Sequence, residues 1–304
     1  MNRRQFIIGS VLEGAALGAW PAVQQADPQV RLARAAISSW SFHDLFAVTR
    51  DQNSPPLSGG SFDIMNFPEM LADRYKVHAM EVVAPHFAST DAGYLAEFKK
   101  RLERAHSRLV NIPVDIPELE HGAGLSDRDT AVRTSAITAC KKWIDIASVL
   151  GAQSVRCDPG KIVPSDLRPT IASYQSLASY AGSKSLYVLI ENHGGVGSEH
   201  PEELVDIFRA AGEHAGALPD FGNFPDEQTR QRGLKLLFPF GRTVCHVKDP
   251  RLGADWKGGA FDFAGCVATS KKAGFKGFYS MEAEFGGDPY VSVQRLLSEL
   301  EQQL

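Results

Sequence analysis

The feature that most constrains the fold of this chain is a rhythm. Short apolar runs recur eight times, at residues 33–40, 77–84, 108–114, 152–158, 185–191, 216–220, 242–249 and 277–282. A run this short, apolar without strict alternation and bounded by turn residues, reads as a strand buried on both faces. Parallel strands need a crossover between them, usually a helix. Residues 91–106, 129–152, 201–212, 262–274 and 288–303 supply such helices, with apolar residues on one face and charges on the other. The 201–212 stretch opens with proline and two acids and closes with glycine, the order that helix ends prefer. Strand and helix repeated eight times define an α/β chain and predict a single-domain (β/α)8 TIM barrel. The rival, an open doubly wound sheet, commonly carries a glycine-rich phosphate loop after its first strand. Here the first strand runs into SSWSFHDLF, which has no glycine. Residues 49–63 form the one long polar loop and are expected near the barrel mouth.

In a barrel the C-terminal ends of all strands converge on one face, so residues far apart in sequence meet there. The fifth run ends in Glu191, within VLIENHGG, and the sixth in Asp220, within LPDFGN. The seventh carries His246, within VCHVKD, and the eighth ends in Glu282, within YSMEAE. One polar strand end is ordinary. Four consecutive ends reading Glu, Asp, His, Glu are a donor set for one divalent ion. Three carboxylates and an imidazole suit Mn²⁺, Mg²⁺, Co²⁺ or Zn²⁺, and the carboxylate excess favours a harder ion such as Mn²⁺. Four protein ligands leave one or two positions open, which neighbouring oxygens of a sugar can fill.

These motifs, together with MEVVAPHF on the second strand, resemble the xylose-isomerase-like TIM-barrel superfamily of sugar phosphate isomerases and epimerases. The resemblance covers nearly the whole chain after its first residues and is strongest over 186–286. It implies that Glu191, Asp220, His246 and Glu282 are metal ligands and that Glu191 and Glu282 also move protons. In such ketose epimerases one glutamate removes a proton beside a metal-bound carbonyl, and the other returns it from the opposite face through an enediolate. Asn223 falls where epimerases place a substrate-binding histidine. The chain departs from that pattern at Gly197, where epimerases carry a second glutamate, and it has no clear match for their arginine after the seventh-strand histidine; Arg251 is only nearby. The expected activity is therefore a divalent-metal-dependent sugar isomerase or epimerase. The alternative on the same site is a 3-keto-glycoside lyase or hydratase.

Other residues at the strand ends are candidates for the substrate. His193 is a base, a donor to a ligand, or a loop histidine in water. Lys248 shares the inward face with His246 and either holds a substrate oxygen or pairs with Asp158. Trp40, with Phe42 and His43, ends the first strand and offers an aromatic face to a sugar, or packs in the core. His86 ends the second strand, on which Glu81 is expected to hydrogen-bond across the barrel. Arg156 is a further substrate contact, or an ion-pair partner of Asp158 on the fourth strand.

Composition narrows the partners. Lys and Arg total 32 against 36 Asp and Glu, scattered, for a net charge of -4. Nucleic-acid binders usually carry a basic face, and an endonuclease-IV-like repair centre with three zinc ions needs more histidines at strand ends than His86, His193 and His246. A barrel that binds sugar without catalysis has little use for two acid/base carboxylates around one metal. The expected partner is a small sugar or sugar derivative, with a homo-oligomer possible and no nucleic acid. Residues 1–27, with Arg3, Arg4 and Phe6 ahead of a small-residue apolar stretch, read as a twin-arginine export signal. The barrel then spans 28–304 and works outside the cytoplasm, in the periplasm. The leading stretch, broken by Glu13, is too short for a stable membrane span. Cys140, Cys157, Cys245 and Cys266 show no C-x-x-C spacing and read as small buried hydrophobes, Cys245 on the opposite side of its strand from His246.

Overall fold

The computed structural model describes residues 32–51, 61–119, 124–248, 261–283 and 287–304. The proposed export signal and most of the 49–63 loop lie outside them. Eight parallel strands stand in the order β6-β5-β4-β3-β2-β1-β8-β7. They are β1 Ala35–Ser38, β2 Ala79–Glu81, β3 Arg108–Val114, β4 Ser154–Cys157, β5 Tyr187–Glu191, β6 Ala215–Leu218, β7 Val244–Val247 and β8 Phe278–Met281. Isolated bridges between Ala217 and Gly241 and between Asp220 and His246 join β6 to β7 and bring the sheet almost to closure. A helix follows every strand: α1 Phe67–Tyr75, α2 Ala92–Arg104, α3 Thr130–Leu150, α4 Arg168–Gly182, α5 Pro201–Ala211, α6 Glu227–Leu237, α7 Phe263–Lys272 and α8 Pro289–Gln303. The TIM barrel expected from the rhythm is the fold observed.

Helices α2, α3, α5, α7 and α8 lie within the stretches read from the sequence. Their ends have local causes. The side chains of Asp129, Asp262 and Asp288 accept a backbone N–H of the first turn in α3, α7 and α8. Gly151 closes α3 at φ 75°, a left-handed position that costs glycine nothing. Helices α1, α4 and α6 were not delimited in the sequence. In α6 the run EQTRQRGLKLL has too few apolar residues to mark a face, although Leu234 and Leu237 are fully buried.

Alternation along the strands divides the core in two. Ile37, Met80, Val155, Val188, Ile190, Cys245, Val247 and Met281 face outward into one large cluster against the helices. Small groups, Ala36 with Ala79 and Val110, and Leu189 with Leu218 and Val244, fill the floor of the barrel. Above them the interior is polar and hydrogen-bonded. Asn111 Nδ2 donates to Glu81 Oε2 at 2.7 Å, Ser154 Oγ donates to Asn111 Oδ1 at 2.7 Å, and Ser280 Oγ donates to Glu81 Oε1 at 3.3 Å. Buried polar groups of this kind are tolerated when each finds a partner. All four cysteines are free, buried thiols, as their spacing implied.

Candidate metal centre and active site

At the top of that polar column Glu191, Asp220, His246 and Glu282 come together, all buried, each offering a ligand atom within 4.8 Å of the others. β5 delivers Glu191 as its last residue, and β7 carries His246 inside the strand. Asp220 and Glu282 sit just beyond β6 and β8, positioned by backbone bonds. His246 N–H donates to Pro219 O at 3.0 Å and Glu282 N–H to Val247 O at 3.0 Å. Asn192, fully buried, ties the ends of β5 and β6 together: its Nδ2 donates to Asp220 O at 3.1 Å and its Oδ1 accepts from Asp220 N at 2.7 Å.

The donor set fits a divalent ion on three independent grounds. First, Asp220 Oδ1 accepts the backbone N–H groups of Gly222 and Asn223 at 2.6 and 2.8 Å, while Oδ2 is buried with no hydrogen-bond partner among the described residues. A buried carboxylate oxygen without a hydrogen bond is costly unless a cation meets it; Lys248 Nζ stands 3.4 Å away, and an ion could take that place. Second, His246 Nδ1 faces the carboxylates, 3.0 Å from Glu191 Oε1 and 3.4 Å from Glu282 Oε2. Third, its other nitrogen, Nε2, lies 2.7 Å from Glu81 Oε1. A carboxylate behind a histidine fixes the tautomer that presents the opposite nitrogen to an ion. The expected cross-barrel bond of Glu81 is therefore present, and its partner is His246. Glu81→Gln is expected to weaken Mn²⁺ binding roughly 10–100-fold, measured by titration of the metal-free protein; unchanged affinity would separate Glu81 from the ion.

Protein cations balance the charge of the cluster. Burial alone disfavours the His246 imidazolium, but Glu282, Glu81 and Glu191 around it hold its pKa well above the ordinary range. Burial likewise opposes ionisation of Glu191, yet His246 and Arg156 bring its pKa well below the usual carboxylate value. Lys248 Nζ lies 3.4 Å from Asp220 Oδ2 and 3.3 Å from Glu282 Oε2, and donates to Asn223 Oδ1 at 3.2 Å. A raised imidazole pKa stabilises the metal-free fold fully below about pH 6.5 and loses that contribution as pH rises through the folded-state value. An ion needs the neutral imidazole, so its affinity rises over the same window. Mn²⁺ binding near neutral pH is expected to release about one proton per ion, read by calorimetry in buffers of different ionisation enthalpy. Release of no proton would mean that His246 is not a ligand.

The remaining candidates divide. Glu191, Glu282, Lys248, His193, Arg156 and Trp40 line one cavity of about 710 Å³ at the barrel mouth. Asn223 reaches the same cluster, its Nδ2 donating to Glu191 Oε1 at 3.0 Å. His193 is exposed and faces Asp158 Oδ2 at 3.3 Å; that contact and the nearby Glu191 push its pKa up to about 9. His86 stands apart. Its Nδ1 meets Ser39 Oγ and its Nε2 meets Thr49 Oγ1, both at 2.8 Å, and its ring stacks on Phe46 at 3.6 Å. Burial, then His43, lowers its pKa to about 3, so it is a neutral support for the first loop.

Two sequence expectations are corrected. Arg156 does not pair with Asp158: Nη1 donates to Asp115 Oδ1 at 2.7 Å and Nε lies 3.2 Å from Glu191 Oε2, while Asp158 faces His193. Lys248 does not pair with Asp158 either but sits between Asp220 and Glu282. Both side chains are long, and the nearest carboxylates along their reach belong to other strands. Asp115 and Asn192 were given no role from the sequence, although Asp115 directly follows β3 and obeys the strand-end rule that found the ligands. Gly197, the departure noted above, lies in a one-turn helix, Gly195–Glu199, where an added Cβ would lie 3.6 Å from Glu191 O.

Residues 70–300 match the family model described as xylose isomerase-like TIM barrel. No curated protein matches. Among solved structures, a D-tagatose 3-epimerase-like protein is 16% identical, covering 89% of this chain and 98% of its own, with TM-score 0.64. The 3-keto-D-glucoside 4-epimerase from E. coli is 11% identical over 88% of this chain and 99% of its own, TM-score 0.64. A xylose isomerase-like TIM barrel protein from Mycobacterium smegmatis in complex with magnesium is 14% identical over 88% and 95%, TM-score 0.61. At these identities the likeness is one of fold.

Proposed function

The chain belongs to the xylose isomerase-like TIM barrel family, and on that premise we propose that it is a divalent-metal-dependent sugar isomerase or epimerase working by proton transfer next to a carbonyl. The observation that carries this reading is that two carboxylates from non-adjacent strands, Glu191 and Glu282, belong to one donor cluster and also line the open cavity. Mn²⁺, held by Glu191, Asp220, His246 and Glu282, supplies Lewis-acid polarisation of a carbonyl when bound. The rest is work of the side chains. Glu191, whose Oε2 faces the Arg156 guanidinium at 3.2 Å, is the proton acceptor. Glu282 approaches from β8 and is the second proton-transfer group. Asn223 orients Glu191 through its amide and holds Lys248, whose ammonium is placed to hold a substrate oxygen. Arg156 and His193 add donors on the β4–β5 side of the cavity, and Trp40 offers an aromatic face to the sugar ring.

His246 is the one histidine of the cluster, and His86 and His193 are engaged elsewhere. That donor chemistry favours a sugar over DNA as substrate. The same proton abstraction serves elimination or hydration of a 3-keto-glycoside, and the size of the cavity keeps that second reading in view. Incubation of the Mn²⁺-loaded protein in D₂O with ketoses and 3-keto-glycosides decides between them. Deuterium uptake beside the carbonyl, with an epimer or isomer as product, supports the first reading, and loss of the aglycone supports the second. No exchange with any carbonyl sugar removes both.

We also propose that residues 1–27 direct export, so that the enzyme works in the periplasm. Among the described residues no helix is long and apolar enough to cross a membrane. Replacing Arg3 and Arg4 with lysines is expected to retain the protein in the cytoplasm, as cell fractionation would show; unchanged export would refute the twin-arginine assignment.

A further inference from the structure

The cavity is asymmetric. Its metal half is built by β5–β8, whereas the opposite half, after β2 and β3, is walled by Val83, Pro85, Val114, Ile116, Leu119 and Trp143. None of these six side chains can hydrogen-bond a hydroxyl except through the indole N–H. A second indole, Trp40, lines the same space. The volume of about 710 Å³ holds on the order of twenty water-sized heavy atoms at about 30 Å³ each, roughly twice what a hexose fills. A single sugar seated on the ion would leave the apolar half empty.

Charge points the same way. Among the described lining residues Asp115, Asp158, Glu191 and Glu282 outnumber the permanent cations Arg156 and Lys248, even with His193, whose pKa is pushed up to about 9, counted as a third. Both cations are committed to carboxylates, Arg156 to Asp115 and Glu191, Lys248 to Asp220 and Glu282. A phosphate at the far end would meet hydrocarbon and acidic groups, with no guanidinium or ammonium among the described residues there to receive it. An aromatic group would meet a preformed apolar wall, the usual setting for such ligands.

Resting on the proposed sugar chemistry, we infer that the substrate is an unphosphorylated glycoside whose aromatic aglycone lies against the Ile116–Leu119–Trp143 wall while its sugar faces the Glu191–Glu282 cluster. The apolar wall is then a specificity subsite distinct from the ligands.

Calorimetric titration of the Mn²⁺-loaded full-length protein with phenyl β-D-glucopyranoside, methyl β-D-glucopyranoside and glucose 6-phosphate tests this. Removing one methylene from a hydrophobic pocket costs roughly 10-fold or more, so the phenyl glycoside is expected to bind at least about tenfold tighter than the methyl one, with the phosphate weakest. Ile116→Asp, on a half-buried wall position, is expected to abolish the phenyl preference with metal content unchanged. Leu119→Ala, which removes apolar contact without adding charge, is expected to reduce it. Equal binding of phenyl and methyl glycosides, tighter binding of the phosphate, or a phenyl preference that survives both variants would overturn the inference. Deuterium exchange into a simple ketose stands apart from these titrations: exchange without phenyl preference would refute the wall and keep the enzyme, and the reverse would refute the enzyme and keep the wall.

Discussion

Glu191→Gln and Glu282→Gln will each lower turnover by roughly 10²–10⁴, the usual worth of a positioned acid or base, while metal content stays near that of the parent. Glutamine keeps the size of glutamate and one coordinating oxygen but cannot take up a proton. Glu191 is the more exposed to side effects, because its Oε1 accepts from Asn223 and its Oε2 faces Arg156 at 3.2 Å. Saturating Mn²⁺ with occupancy measured in the same samples separates loss of proton transfer from loss of the ion. For an epimerase, one of the two variants will still exchange substrate hydrogen with D₂O while failing to make product, because removal and return use different carboxylates. If both variants turn over near the parent rate with metal bound, the two-carboxylate mechanism fails, and His193 and Lys248 become the next bases to test.

The largest effect on metal is expected at His246. His246→Ala will lose most of its ion on dialysis and unfold at lower temperature, with the barrel retained by circular dichroism. The imidazole is fully buried between Glu81 on one side and Glu191 and Glu282 on the other. Removing one partner of a buried charge pair costs about 3–5 kcal/mol, because the other is left uncompensated. Here four carboxylates, Glu81 and the three acidic ligands, would face a void at close range. They will respond by taking up protons, and the loss relative to the parent will shrink as pH rises through the raised imidazole pKa, where the parent gives up its imidazolium as well. A variant with full metal content would place the ion elsewhere.

Why these residues were legible differs from one to the next. Glu191 was readable because it ends an apolar run and is followed at once by Asn192, His193 and two glycines. His246 was readable because alternation with Cys245 and Val247, both packed outward against the helices, forces it inward. Glu81 was placed on the correct strand, with a cross-barrel bond expected of it. That its partner is His246, 165 positions away, depends on β2 and β7 standing across the barrel from each other. Asp115 was as readable by position as Glu191, directly after β3, but the Ile116 and Pro117 that follow it carry no ligand-type residue to draw attention to that strand end.

Sequence alone determined the things that repeat locally. Period-two alternation decides which face of a strand each side chain takes, and the strand–helix rhythm decides that eight strand ends share one mouth. From those two facts the convergence of Glu191, Asp220, His246 and Glu282 at one mouth follows without coordinates. Tertiary structure alone decided the partners of the long side chains and the character of the far wall. Arg156 chose Asp115 and Glu191 over the Asp158 two residues away, and Lys248 chose Asp220 and Glu282. Trp143, a helix residue, reached the cavity lined by strand-end residues. Each outcome depends on the stagger between neighbouring strands and the tilt of the helices over them. Those quantities belong to the barrel as a whole, and no window of sequence contains them.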